Sequence, residues 1–78
     1  MLENHNLVNE FPEYRDKIHD LKMADAHFAR LFNEYHQVDR EVHRIEVGAE
    51  NPSDVYTEDL KKKRLLLKDQ LYAILQDA

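Results

Sequence analysis

The chain has 78 residues and a formal net charge of −5, so it holds at most one small domain. It contains no cysteine, which excludes a disulfide framework and any thiolate metal site. Charged residues make up 35% of the sequence, while glycine occurs once and proline twice, a mix that favours long solvated helices over sheets. Without an apolar run of roughly 18–20 residues or a signal-peptide pattern, we expect a cytoplasmic protein that does not enter the membrane.

The charge is distributed unevenly along the chain. Residues 1–59 hold 6 Lys/Arg against 14 Asp/Glu, whereas residues 60–78 hold 5 against 2. An acidic first part and a basic last segment favour pairing of the two, within one chain or between chains. A general nucleic-acid binder carries basic charge over a whole face, so this distribution disfavours nucleic acid as a partner.

The first helix is predicted over about 11–23, where Pro12 fits a first helical turn because its missing N–H is not needed there. Residues 1–9 show little periodicity and are expected to be a flexible N-terminus, which leaves residues 10–78 as a single helical-hairpin domain. The apolar residues of the first helix recur at spacings of three and four: Phe11, Tyr14, Ile18 and Leu21.

The sequence leaves open whether the chain breaks at Met23–Ala26. Asp25 is a suitable N-cap for a new helix, because its carboxylate can accept from the amides of the next turn. However, neither glycine nor proline lies between Leu21 and His27, so an unbroken helix is equally allowed. A heptad of apolar residues even runs through the junction: Tyr14, Leu21, Phe28, Tyr35, Val42 and Ala49.

Two longer helices are predicted over about 26–47 and 52–76. The first ends where Gly48 can adopt the left-handed conformation of a helix stop. Asn51 and Pro52 then serve as cap and first residue of the next helix. A short connection between long helices indicates an antiparallel two-helix hairpin. The fold class is therefore all-α, a coiled-coil-like hairpin with a short N-terminal helical arm.

The two long helices share an apolar seam. Its predicted members are Phe28, Leu31, Tyr35, Val38, Val42, Ile45, Leu60, Leu67, Leu71 and Ile74. In the antiparallel register that pairs Tyr35 with Leu67, every level is apolar except one, where Arg64 lies beside Asp39. Because a charge in a seam needs an opposite charge, we predict an ion pair between these two residues.

The chain carries more apolar surface than the hairpin alone can cover. The last helix ends at Ala78, so the first helix has nothing to pack on unless the chain bends near Asp25 or a second copy covers it. Burial of each such side chain is worth roughly 1.5–3 kcal/mol, and we therefore expect a homodimer or higher homo-oligomer. The predicted partner or dimer contacts are Phe11, Tyr14, Ile18, Leu65, Leu66 and Tyr72.

Four segments together resemble a known family. They are FPEYRDKIHDLK (Phe11–Lys22), HFARLFNEY (His27–Tyr35), VDREVHRIE (Val38–Glu46) and LKKKRLLLKDQLYAIL (Leu60–Leu75). Read together they resemble the YdcH-like family of small bacterial proteins, a domain of unknown function. The resemblance implies a helical hairpin and no particular activity. Family members often have Asn-Pro or Asp-Pro where this chain has Asp25-Ala26, so a break is less strongly enforced here.

The histidines raise a metal hypothesis. His36, Asp39 and His43 lie three and four residues apart and share one helix face, a spacing at which imidazole and carboxylate can chelate zinc or nickel. Polar surface is the favoured interpretation, because Arg64 also needs Asp39. We expect no cofactor and keep a weak metal-responsive module as an alternative.

The run Lys61, Lys62, Lys63 and Arg64 raises an RNA hypothesis, since basic side chains can neutralise phosphates. Four successive helical residues point in four directions, so a solvated face is favoured and an RNA-associated accessory protein stays an alternative. Catalysis is not expected, because the chain has no Gly-rich loop, no cysteine, and only Ser53 and Thr57 as aliphatic hydroxyls.

The sequence thus predicts a small, non-catalytic protein–protein interaction or structural module that self-associates. A further protein partner stays open, because no residue pattern names one. The biological process and the binding face are likewise not encoded in a recognisable motif.

Overall fold

The computed structural model describes residues 6–78, and all regular elements within this range are helical. They are α1 (Leu7–Glu10), a 3-10 turn (Pro12–Tyr14), α2 (Arg15–Ala24), α3 (Ala26–Glu46) and α4 (Asp54–Asp77). The predicted all-α hairpin with an N-terminal arm is confirmed: α3 and α4 form the hairpin, and residues 6–24 form the arm. Among the described helices, none has the length and apolar character needed to cross a membrane.

The N-terminal end of the arm differs from the expectation of a flexible segment over residues 1–9. Residues 1–5 lie outside the described part of the chain. Asn6, however, caps α1, since its side-chain oxygen accepts a hydrogen bond from the Asn9 amide at 2.8 Å. Leu7 is fully buried. This apolar side chain packs on the hairpin, so the folded unit begins before residue 10.

The predicted helix over 11–23 is divided into two pieces. Pro12 opens the 3-10 turn, and the α-helix proper begins at Arg15. Phe11 precedes the turn in a non-helical conformation and its carbonyl accepts from the Tyr14 amide at 3.0 Å. The tight turn sets the direction in which α2 returns along the hairpin.

The chain bends at Asp25, which resolves the alternative that the sequence left open. Asp25 alone is extended, with φ −125° and ψ 107°, between α2 and α3. Its carboxylate accepts hydrogen bonds from the amides of His27 at 3.0 Å and Phe28 at 3.2 Å. The residue therefore caps α3 and lets the arm fold back onto the hairpin.

Gly48 ends α3 as predicted. It has a φ of 83°, and its amide donates to Ile45 while the Ala49 amide donates to Arg44, the two hydrogen bonds of a Schellman motif. The next helix begins later than predicted. Ser53, rather than Asn51, is the cap of α4, because its hydroxyl accepts from the Tyr56 amide at 3.2 Å.

One apolar core joins the arm to both hairpin helices. Its buried members are Leu7, Ile18, Phe28, Tyr35, Val38, Val42, Leu67, Leu71 and Leu75. Three predicted seam residues, Leu31, Leu60 and Ile74, are partly buried against this core. Ile45 is half-buried near the turn. The arm thus supplies core residues that a bare two-helix hairpin would lack.

Candidate protein-interaction surface

The charged level of the seam contains one ion pair. Arg64 on α4 donates to a carboxylate oxygen of Asp39 on α3 at 3.1 Å. Asp39 is buried, whereas the Arg64 side chain retains 22% of its exposure. The pair links the helices where the antiparallel register brings these positions together. It satisfies a carboxylate that would otherwise be buried without a partner.

Tyr35 lies one helical turn from this ion pair and is fully buried. Burial raises the pKa of its phenol well above the ordinary value, and the carboxylates of Asp39 and Glu10 act in the same direction. The hydroxyl therefore stays protonated at neutral pH, and the ring of Tyr35 packs within the seam.

The arm covers the open end of the hairpin with aromatic side chains. The ring of Phe11 stacks on that of Tyr72 at a centroid distance of 4.9 Å, and Tyr14 meets the same ring edge-on at 6.1 Å. Tyr72, one of the surplus residues of α4, is therefore covered within its own chain. Of the predicted partner contacts, Phe11, Tyr14, Ile18 and Tyr72 all lie at this intramolecular interface.

Polar contacts hold the arm at both of its edges. Lys17 Nζ donates to the carbonyls of Leu75 at 3.3 Å and Ala78 at 2.7 Å, so a cation caps the negative end of α4. Lys68 lies 3.9 Å from a carboxylate oxygen of Glu10. These contacts fix the position of α1 and α2 along α4.

His36 connects the start of the arm to α3. The Leu7 amide donates to Nε2 of His36 at 3.2 Å, and Nδ1 lies 2.8 Å from the Phe32 carbonyl. Because an amide can only donate, Nε2 must accept and Nδ1 must carry the proton. Burial lowers the pKa of His36, in keeping with this neutral form.

The three metal candidates are not arranged as a chelate. Both ring nitrogens of His36 are engaged, Asp39 binds Arg64, and His43 is exposed. Within residues 6–78, no group of three or more His, Cys, Asp or Glu side chains is placed to hold a metal ion. The shared helix face that suggested the site is used instead for a helix-to-arm hydrogen bond and an ion pair.

Most of the basic residues of α4 have carboxylate partners within the chain. Lys63 lies 3.4 Å from Glu34, Arg64 binds Asp39, and Lys68 faces Glu10. In the described part of the chain, the ion pairs involve neither Lys61 nor Lys62, which are exposed. Three of the five basic residues of α4 therefore face carboxylates of α3 or of the arm.

One uncovered apolar feature of α4 is a pair of successive leucines that lie outside the seam. Leu65 is 54% exposed and Leu66 is 57% exposed, whereas their neighbour Leu67 is 5% exposed. The exposed residues Lys62 and Asp69 lie three and four positions to either side. We call Lys62, Leu65, Leu66 and Asp69 the outer face of α4.

A second exposed apolar region lies at the start of α4. Val55 and Tyr56 are exposed and border a surface groove of about 430 Å³. The other residues that line the groove are Ser53, Asp59, Leu60 and Lys63. The groove is separate from the outer face and brings together no recognisable catalytic set. The hydroxyl of Ser53 is used to cap α4.

Three structural residues were absent from the sequence-based set: Leu7, Lys17 and Leu75. Leu75 continues the spacing of Leu71 by one helical turn, so periodicity could have found it. Asn6 three residues before Asn9 is a weak capping signal for the turn that places Leu7. Nothing local to Lys17 indicates that it reaches carbonyls about sixty residues away.

The fold and the surface together define a class of protein. It is a small helical hairpin whose open end is covered by a folded N-terminal arm, and it exposes Leu65 and Leu66 on α4. Residues 28–75 match the family described as "Protein of unknown function (DUF465)". The "Uncharacterized protein YdcH" of Escherichia coli (strain K12) is 38% identical over 66 residues, which cover 85% of this chain and 89% of the relative. The protein of the same name from Shigella flexneri gives the same identity and coverage.

The chain belongs to the DUF465 family, and the resemblance to YdcH-like proteins is confirmed. No solved structure shows a significant match. The family description supplies no activity, so function must be argued from the surface.

Proposed function

We propose that this protein is a non-catalytic interaction module that self-associates, the outer face of α4 in one copy packing against the same face of a second copy. The observation that carries the proposal is the exposure of Leu65 and Leu66, at 54% and 57%, side by side on α4. Adjacent exposed leucines on a small protein favour an interaction surface.

The arm reduces the apolar surface that a second copy would have to cover. Tyr72 is stacked on Phe11 and so no longer requires cover from outside the chain. Within α4, the surplus apolar side chains still exposed in mid-helix are Leu65 and Leu66. The dimer contact is therefore expected on the outer face rather than at the open end of the hairpin.

The charges on the outer face suit a second copy of the same chain. In an antiparallel two-fold crossing centred on the leucine pair, Lys62 of one copy approaches Asp69 of the other. Symmetry repeats the contact, so the leucine cluster is flanked by two opposite-charge pairs. A parallel arrangement would instead set like charges at the same level.

The expected dimer is weak. Full burial of an exposed leucine is worth about 1.5–3 kcal/mol, so covering four half-exposed leucines contributes roughly 3–6 kcal/mol. Association costs an estimated 4–15 kcal/mol in lost freedom of motion. The leucines alone do not exceed this cost over most of its range, so the two Lys62–Asp69 contacts must also contribute, and the dimer is expected only at high protein concentration.

The alternatives have less support. An RNA-binding face would need free cations, but Lys63, Arg64 and Lys68 are each within ion-pair distance of a carboxylate of the same chain. A metal-responsive role would need the ring nitrogens of His36, and both are engaged. No observation favours either role over self-association.

The test is sedimentation equilibrium over a wide range of protein concentration. The wild-type chain is expected to show a reversible dimer, and Leu66→Glu is expected to abolish it because a charge cannot be buried between the leucines. Val47→Glu is the matched control, since Val47 is 53% exposed at the distant turn and should leave the dimer unchanged.

Charge reversal tests the register. Lys62→Asp should weaken the dimer, and the double variant Lys62→Asp with Asp69→Lys should restore it. A wild-type chain that stays monomeric at every concentration, or a Leu66→Glu variant that dimerises as the wild type does, would overturn the proposal.

A further inference from the structure

The junction between arm and hairpin consists of one residue. Asp25 is extended, and the residues on both sides of it are already helical. We propose that two copies of the chain can exchange their arms. When the chain straightens at Asp25, the arm of one copy packs on the hairpin of a second copy, at the surface that the second copy's own arm covers in the bent form. We call this surface the arm site. The ligand of the open end of the hairpin is then a helical segment of another identical chain.

The sequence at the junction permits the straight form. Ala24 and Ala26, which flank Asp25, belong to the best helix-forming residue type. Neither glycine nor proline lies between Leu21 and His27 to enforce the bend. The bend is therefore stabilised by the contacts of the arm with the hairpin, because no residue at the junction has a backbone that enforces it.

Bent and straight forms have similar hydrogen-bond totals. In the bent form, the Asp25 carboxylate accepts from the amides of His27 and Phe28. In a continuous helix, the amides of Ala26, His27 and Phe28 would instead donate to the carbonyls one turn earlier. Two side-chain hydrogen bonds are replaced by about three backbone ones, so the junction itself contributes little preference.

A straight junction removes the arm from its own hairpin. A helix continuous from Arg15 to Glu46 would carry the ten residues of α2 about 15 Å beyond the open end. Ile18 and Leu7, buried in the bent form, would then be exposed, and so would the arm site. Exposing the apolar residues of both the arm and the hairpin to water is unfavourable. The straight form therefore needs a second apolar surface that covers each of them.

A second copy supplies that surface without any new contact. The stack of Phe11 on Tyr72, the Lys17 cap of α4 and the Glu10–Lys68 pair can all form between chains as they do within one. Exchange of an identical element between copies is a low-cost route to a dimer.

The heptad through the junction places the arm correctly for this exchange. Tyr14 and Leu21 are seven apart and precede Phe28 and Tyr35 by the same spacing, so a continuous helix would present all four on one side. Phe28 and Tyr35 are fully buried in the seam. The arm of the straight form would therefore continue the apolar seam toward the second copy.

This inference does not depend on the outer face of α4, because the two surfaces use different residues. It also predicts a different kind of dimer, in which the arm of each chain is held by the other chain. Cross-linking between arm and hairpin distinguishes the two.

The experiment uses the full chain, which has no cysteine, with Glu10→Cys and Lys68→Cys as the sole thiols. These side chains face each other across the arm interface at 3.9 Å. After incubation over a range of concentrations, a short bismaleimide linker joins residues 10 and 68. On a denaturing gel, a bent copy gives a monomeric product and an exchanged pair gives a covalent dimer.

Two variants move the junction in opposite directions. Asp25→Ala removes the cap and favours the continuous helix, so the dimeric product should increase. Ala26→Pro should abolish it, because proline suits the first position of α3 but not a helix interior. The extended Asp25 already has the backbone conformation preferred before proline.

The double-cysteine chain with the native junction is expected to give a dimeric product that grows with concentration, and adding Leu66→Glu should not reduce it. A double-cysteine chain with the native junction that gives only monomeric product at every concentration would overturn the proposal. Equal dimeric product from Ala26→Pro and Asp25→Ala would overturn it as well, even if outer-face association is observed by sedimentation.

Discussion

The seam of the hairpin and the interface of the arm are both apolar, but they are held in different ways. The seam joins two helices of 21 and 24 residues through periodic side chains and one ion pair. The arm is a single helical turn, a 3-10 turn and a ten-residue helix. Besides its aromatic and apolar contacts, the arm is positioned by hydrogen bonds to backbone atoms, through the Leu7 amide and the carbonyls that Lys17 caps.

The difference indicates two levels of stability. Long helices that share a continuous core unfold together, whereas a short segment attached through one residue can open alone. We therefore expect the seam to be the more stable part of the molecule and the arm to be able to detach while the hairpin persists.

The sharpest test compares two leucines that are both fully buried, Leu71 in the seam and Leu7 in the arm. Leu71→Ala should lower the free energy of unfolding by about 2–5 kcal/mol, the usual cost of a core cavity. Leu7→Ala should cost less than that range, because arm detachment limits the loss. Chemical denaturation followed by circular dichroism measures both.

Hydrogen exchange provides the second half of this test. Leu7→Ala should reduce protection in α2 while leaving α3 and α4 close to wild type, whereas Leu71→Ala should reduce protection throughout. Equal global losses from the two substitutions would mean that arm and hairpin form one cooperative unit.

The ion pair gives an intermediate effect. Asp39→Ala leaves the Arg64 guanidinium without its partner in the seam, and should cost about 1–3 kcal/mol because Arg64 keeps some contact with water. This substitution should destabilise the packing of α3 against α4 rather than the docking of the arm. Urea unfolding of Asp39→Ala, Arg64→Met and the double variant gives the coupling energy.

We expect a coupling of roughly 0.5–3 kcal/mol between Asp39 and Arg64, as for residues in direct contact. The pair of Lys63 and Glu34 is the matched control, since both side chains are about half exposed and should couple weakly. A coupling energy near zero between Asp39 and Arg64 would show that their ion pair does not contribute to the stability of the hairpin.

How far the sequence predicts the fold depends on which of these two regions is considered. Apolar spacing identified the seam helices because a helix repeats its faces every three to four residues, and Gly48 marked their turn. The bend at Asp25 was not decided, because capping and continued helix are close in energy there. The start of α4 shifted to Ser53 because its hydroxyl competes with Asn51 as a cap.

The contacts of the candidate site divide in the same way. The exposure of Leu65 and Leu66 followed from helical periodicity. Successive residues of a helix point about 100° apart, and Leu67 is the one of the three successive leucines that faces the seam. The contacts of Leu7 and Lys17 join atoms far apart in sequence, partly through the backbone, and leave no periodic signal. His36 looked like a metal candidate because composition does not reveal what each ring nitrogen already binds.

His36 offers the smallest effect and the most direct test of whether the arm can detach. Burial lowers its pKa, the Phe32 carbonyl and Asp39 oppose the shift, and Arg40 and Lys22 reinforce it. Protonation would place an N–H at Nε2 directly opposite the Leu7 amide, so two donors would face each other. Acid should therefore weaken the docking of α1.

The sign follows from proton linkage. The folded pKa lies below the ordinary value of about 6.5, so between the two values the unfolded chain binds more protons and stability rises with pH. The contribution of His36 is complete above about 6.5 and is lost as pH falls toward the folded value. Exchange protection of α1 and α2 measured from acidic to neutral pH should show this rise.

His36→Gln isolates the contribution of the imidazole, because its side-chain oxygen can accept from the Leu7 amide but does not titrate. The difference in arm protection between wild type and His36→Gln should narrow or reverse as pH falls, since the wild-type contact alone is lost. Parallel pH profiles for the two proteins would mean that the Leu7–His36 contact does not control the arm. A change confined to α1 and α2, with the seam unaffected, is the result that a detachable arm requires.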